Sequence, residues 1–141
     1  RGEVLIAFRH SPLEAIHPRA SLAAQAAGCA GAHNLFWEMH DALFSDQRNL
    51  DTDALVARAR TLGLGVSAFT RCLEGPTLSS ITVDIDDGHD FQVTSTPTVF
   101  LGFVQDGRLR VVRRLQGARS LKRVGIAIEA LLTQLEGLFS R

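Results

Sequence analysis

Apolar positions along the 141 residues keep two rhythms. "EVLIAFRH" (3–10) is a short, β-rich apolar run closed by the turn residues "SPL" (11–13), the pattern of a strand. From residue 17 the spacing lengthens to that of helices. "HPRASLAAQAAGCAGA" (17–32) is Ala-rich, with Pro18 where a first helical turn tolerates it. "NLFWEMHDALF" (34–44) places Phe36, Met39 and Leu43 on one stripe behind Asn34 as N-cap. "DTDALVARARTLG" (51–63) does the same with Leu55, Ala59 and Leu62, between an Asp51 or Thr52 cap and a Gly63 stop. "SAFTRCLEG" (67–75) and "PTLSSITVDIDDGHD" (76–90) read as two further helices. The period then shortens again. "TVFLGFV" (98–104) and "RLRVVRRL" (108–115) flank "QDG" (105–107) as a hairpin. "SLKRVGIAIEALLTQLE" (120–136) closes as an amphipathic helix with its stripe at 121, 124, 128, 131 and 135. Strand, helices, hairpin, helix is the order of an α/β domain with a helical insertion.

Composition narrows the function classes. Hydrophobic residues make up 45% and charged residues 21%, an ordinary globular balance, and the length suits one domain over 1–141. Lys+Arg and Asp+Glu both number 15, so the net charge is zero. That balance speaks against a nucleic acid or an anionic membrane as main partner. No apolar run reaches the length of about 18 residues that a membrane span needs. CxxC, CxxH and HExxH spacings are absent, as are GxSxG and GxxxxGK[ST]. Metal, haem, hydrolase and nucleotide chemistry have no support, and no cofactor is implied.

One stretch is harder to place. In "TSTPTVFLG" (94–102), Pro97 stands at the entrance of an expected core strand, although proline donates nothing to a sheet. Taken in order with "FRHSPL", "HPRA", "FWEMHDALF" and "RCLEG", this stretch resembles the DsbA-like branch of the thioredoxin-fold proteins, over about residues 3–136. The resemblance implies a thioredoxin-type sheet, with strands at about 3–10, 98–104 and 108–115, interrupted by a helical bundle at about 17–90. It implies a cis Thr96–Pro97 bond, which X–Pro linkages tolerate at about 0.5–1 kcal/mol. It also implies that Thr96 and Pro97 hold an extended substrate segment by strand addition. The activity implied is thiol–disulfide exchange on protein or peptide thiols outside the cytoplasm, with a redox partner protein. The alternative reading is a non-catalytic thioredoxin-like module that binds extended peptide or regulates a fused or associated protein.

The family's chemistry rests on a CxxC at the start of its first helix, where the dipole and the neighbouring sulfur favour a thiolate. This chain has none. The resemblance therefore implies a fragment whose first core strand and CxxC helix lie upstream of Arg1, and which is inactive by itself. The missing strand would leave 3–10 and 98–104 with unpaired backbone. Truncation, a strand donated by a partner or swapped in a homodimer, and a rearranged sheet are the three ways to account for that gap.

The remaining residues carry weaker signals. Cys29 and Cys72 fall in the inserted helices, and three readings stand: two buried thiols, a structural disulfide between helices, or a redox-active pair. His10 and His17 match positions flanking the strand-to-helix turn, with a hydrogen-bonding or capping role. His33, Glu38, His40 and Asp41 fit no zinc-ligand spacing, so no metal is expected. Trp37 and Phe36 read as packing anchors for the insertion helices. Asp84, Asp86, Asp87 and Asp90 read as a solvated helix face. Strand alternation places Arg108, Arg110 and Arg114 on one face and Leu109, Val111 and Arg113 on the other. The first set reads as a solvent-facing edge that blocks aggregation.

Overall fold

The computed structural model describes residues 4–139. Its elements are α1 (Ala20–Gly31), α2 (Phe36–Ser45), α3 (Thr52–Thr61), α4 (Val66–Leu73), α5 (Ser79–Asp90), β1 (Thr98–Gln105), β2 (Arg108–Gln116) and α6 (Leu121–Phe139). The helices and the antiparallel hairpin fit a DsbA-like thioredoxin fold with a helical insertion. The chain divides into two compact units, Arg1–Phe91 and Gln92–Arg141.

The first unit is built around α1, which packs on α2, α3, α4 and α5. Its alanines bring neighbouring helices close, and Ala26, Ala27 and Ala30 join Met39, Leu43, Leu55, Ala59, Leu64, Phe69 and Leu73 in one apolar core. Met39 and Leu55, each from an expected stripe, are fully buried. Asp51 caps α3 by accepting the Ala54 N–H at 2.9 Å. The cap expected at Asn34 is not formed. Asn34 instead takes φ 60°, a left-handed turn that asparagine tolerates, and Leu35 occupies the cap position.

The strand expected over 3–10 is absent over its described part. Residues 4–10 carry no strand pairing, and without ladder partners an apolar run does not become a strand. Leu5 and Ile6 are exposed. What fixes the end of this segment is charge: Arg9 pairs with Asp84 at 3.0 Å and also with Asp87. The His10 N–H donates to Asp84 Oδ2 at 2.8 Å. Asp84 is buried, so the expected solvated acidic face of 84–90 is corrected at this position. Its carboxylate is paired and hydrogen-bonded, as a buried charge must be.

In the second unit, Asp106 (φ 50°) and Gly107 (φ 72°) make the turn with two positive φ values that a tight hairpin favours. The register pairs Leu101 with Arg113 but Gly102 with Val111, so Val112 is the extra residue of a bulge. A side chain at Gly102 would collide with the Arg110 carbonyl oxygen, so only glycine fits beside the bulge. The bulge also reverses the alternation. Arg108 and Arg110 share a face with Arg113, while Arg114 shares the other with Leu109 and Val111. The expected grouping of Arg114 with Arg108 and Arg110 is thus corrected by one inserted residue. Helix α6 packs on β1. Ala127 is its buried position, whereas Leu121 of the expected stripe is 88% exposed.

Candidate functional site

In the second unit, residues 94–98 form a loop leading into β1, and the Thr96–Pro97 bond within it is cis. Its two sides are tied down. Gln116 Nε2 donates to Thr94 Oγ1 at 3.2 Å and to Ser95 Oγ at 3.0 Å. The Thr98 hydroxyl donates to the Ser95 carbonyl at 2.7 Å, and Gly117 N–H donates to the Pro97 carbonyl at 2.8 Å. Among the described residues, the Thr96 N–H and C=O take no part in this network. Thr96 and Pro97 are both exposed. The loop is therefore held on both sides of Thr96 while that residue's own N–H and C=O stay open, which is what pairing with an extended chain requires.

The first unit holds a groove of about 520 Å³. Ala20, Ala23, Ala24 and Ala27 of α1 form one side, at the spacing of a single helical face. His40, Leu43 and Phe44 of α2 form the other, and Phe8 and Ile16 contribute from the preceding segment. Such a volume and lining fall in the range of small-ligand and side-chain pockets. Beside it lies an aromatic cluster in which Phe8 meets His10 (5.3 Å), Phe36 (5.5 Å) and His40 (5.0 Å). Burial holds the His10 imidazole below its usual pKa; Asp84 acts upward and His40 downward.

Cys29 and Cys72 are joined in a disulfide between α1 and α4, with Cα atoms 5.9 Å apart. Of the three readings, both thiols are spent in a bond, and Cys29 is buried. Beside it, buried Gln25 donates to the carbonyls of Cys72 and Pro76, both at 3.0 Å, and accepts the Leu78 N–H at 3.0 Å. Sequence reasoning missed Gln25. The available signal was a lone amide within a run of alanines, which a buried face admits only when it is satisfied.

The family described as DSBA-like thioredoxin domain matches residues 3–129, running through both units. The chain belongs to this family. Similar curated proteins carry another name. The Na(+)/H(+) antiporter NhaA 1 of Salinispora arenicola is 38% identical over 95 residues, 67% of this chain and 15% of that protein. NhaA 1 of Mycolicibacterium vanbaalenii is 32% identical over 73% of this chain and 17% of its own length. NhaA of Herminiimonas arsenicoxydans is 30% identical over 86% and 18% respectively. The chain thus spans less than a fifth of the length of these relatives. No solved structure matches it.

In this DsbA-like chain the expected site residues lie in different units. Thr96 and Pro97 stand in the second, and Cys29 and Cys72 in the first, as do His10 and His17, expected only to hydrogen-bond or cap. His17 acts through its backbone, its carbonyl accepting the Ala20 N–H at 2.9 Å. Trp37 is not the expected helix anchor. It is 46% exposed and packs on Phe8 and His40, because Met39 and Leu43 take the inward face of α2. Among the described residues, no three His, Cys, Asp or Glu side chains gather as a metal would need, and no helix is long and apolar enough to cross a membrane.

Proposed function

We propose that this chain is the substrate-holding part of a thiol–disulfide oxidoreductase that acts on protein thiols outside the cytoplasm. The observation that carries this reading is the exposed backbone of Thr96, whose N–H and C=O stay open in a loop tied down on both sides. An extended substrate adds to that backbone as a strand, and Pro97 keeps a competing N–H out of the site. In this reading the reactive pair is a CxxC outside these 141 residues, none of which forms that motif. One thiolate of that pair attacks a substrate disulfide, forming a mixed disulfide and releasing the first substrate thiolate. The second attacks the mixed disulfide and releases the other, so the pair is oxidised as the substrate is reduced; oxidation runs in reverse. The two units belong to one domain in this reading, with residues 17–90 as its insertion. The Cys29–Cys72 bond is structural and supports an oxidising compartment.

A second reading is favoured by the groove between α1 and α2 and by the relatives' names: a non-catalytic, peptide-binding or regulatory module within an antiporter polypeptide. Insulin reduction separates the two. The 141-residue chain is expected to show no turnover, and a longer polypeptide carrying an upstream CxxC is expected to show it. Inactivity despite an intact CxxC favours the module. Turnover by the short chain that disappears in Cys29→Ser would place chemistry at the bonded pair and overturn the assignment.

A further inference from the structure

The zero net charge of the chain conceals a separation. Residues 1–91 hold seven Lys/Arg against twelve Asp/Glu, and residues 92–141 hold eight against three. The first unit therefore carries −5 and the second +5. The excess is concentrated further. Between Gln105 and Ile128 stand Arg108, Arg110, Arg113, Arg114, Arg119, Lys122 and Arg123, all exposed, with Asp106 as the single acid. Arg114 is engaged, lying over the Phe100 ring and donating to the Gln92 carbonyl. Among the described residues, the other six have no ion-pair partner.

Exposed aliphatic side chains accompany these cations, and by register Val104, Leu109 and Val111 lie on the hairpin face opposite Arg108, Arg110 and Arg113. Val104, Leu109, Val111, Val112, Leu121 and Ile126 are all exposed. Strand β2 pairs on one side only among the described residues, so the arginines line an open edge. An edge that only blocks strand-to-strand aggregation needs charge alone and gains nothing from exposed leucine or valine. An edge with guanidinium groups on one side and aliphatics on the other fits a surface that offers phosphates above an apolar layer. Arginine matches phosphate with paired N–H donors. Exposed aliphatics gain by entering the acyl boundary, whereas a nucleic-acid backbone offers them no apolar layer.

We infer that the hairpin and the first turn of α6 bind the anionic surface of a phospholipid bilayer. This inference stands apart from the redox reading: it needs neither the cysteine pair nor the Thr96 loop. The test is flotation of the full chain with vesicles of phosphatidylcholine, with or without about one-third phosphatidylglycerol. Partition is expected to favour the anionic vesicles. It is expected to vanish near 1 M salt, where charges are screened beyond about 3 Å. Each cation near such a surface contributes about fivefold, so Arg108→Glu with Arg110→Glu is expected to lower partition at least about 25-fold. Arg119→Glu with Lys122→Glu serves as a second variant should the hairpin fail to fold, as judged by circular dichroism. Equal partition to neutral and anionic vesicles would overturn the proposal, as would full binding by a folded charge-reversed variant. Salt-sensitive binding to poly-glutamate or duplex DNA, with none to vesicles, would also overturn it and reassign the surface to a polymeric anion.

Discussion

The two units hold themselves together by different means. The first buries a continuous core on four helices, α1 to α4, and adds a covalent bond between α1 and α4. The second buries little: every residue of β2 except Leu115 is exposed, and it depends on hairpin hydrogen bonds, a tight turn and one face of α6. The open backbone groups of Thr96 and the cationic edge lie in the lightly buried unit, and the Cys29–Cys72 disulfide lies in the well-packed one. In the proposed reading substrate contact belongs to the second unit, and the first, with its two cysteines bonded to each other, is scaffold. Surfaces meant to receive partners are commonly drawn from the less stable parts of a fold.

The largest test of that contrast is the disulfide. Its loop spans 43 residues, and removing such a crosslink costs about 4 kcal/mol in the chain-entropy account. Cys29→Ser with Cys72→Ser is expected to lower the urea midpoint accordingly, with amide protection lost in α1 and α4. A variant as stable as the parent would mean that the helical core needs no staple. Next in size is Gly102→Ala. The added Cβ meets backbone, which cannot rotate away, so a cost of about 1–3 kcal/mol is expected, read as lost amide protection in β1 and β2. Unchanged protection there would show that the bulge is not fixed by this contact.

The smallest effect is one of pH. Burial keeps the His10 pKa below 6.5, so the unfolded chain takes up the proton first as pH falls. Stability from this group is complete above 6.5 and is lost as pH drops through that value toward the folded-state pKa. Denaturation midpoints of the first unit are expected to fall just below pH 6.5, with the slope reduced in His10→Gln. An equal slope in that variant would assign the dependence to other groups.

Much of this architecture is legible locally. The stripe through Leu55 and Ala59, the Asp51 cap and the Asp106–Gly107 turn are short-range features, and each forms where its pattern places it. What the pattern hides depends on partners far away in the chain. The apolar run at 4–10 looks like a strand but lacks the neighbour that would make it one. Asp84 looks solvated until Arg9 reaches it across 75 positions of sequence. The inserted Val112, invisible to strict alternation, moves Arg113 and Arg114 to opposite faces from those expected. At the candidate site, Pro97 was conspicuous as a proline before a strand. Gln116, which ties the loop through two hydrogen bonds, carries no local mark of that role.

The most direct measurement is an amide NMR titration of the chain with an extended peptide in which serine replaces cysteine. If Thr96 is where the substrate strand is gripped, its amide and those of Ser95 and Thr98 shift saturably, and Thr96→Pro, which removes the N–H, abolishes the effect. Saturable shifts confined to the α1–α2 groove, with Thr96 unmoved, would contradict substrate holding at this loop.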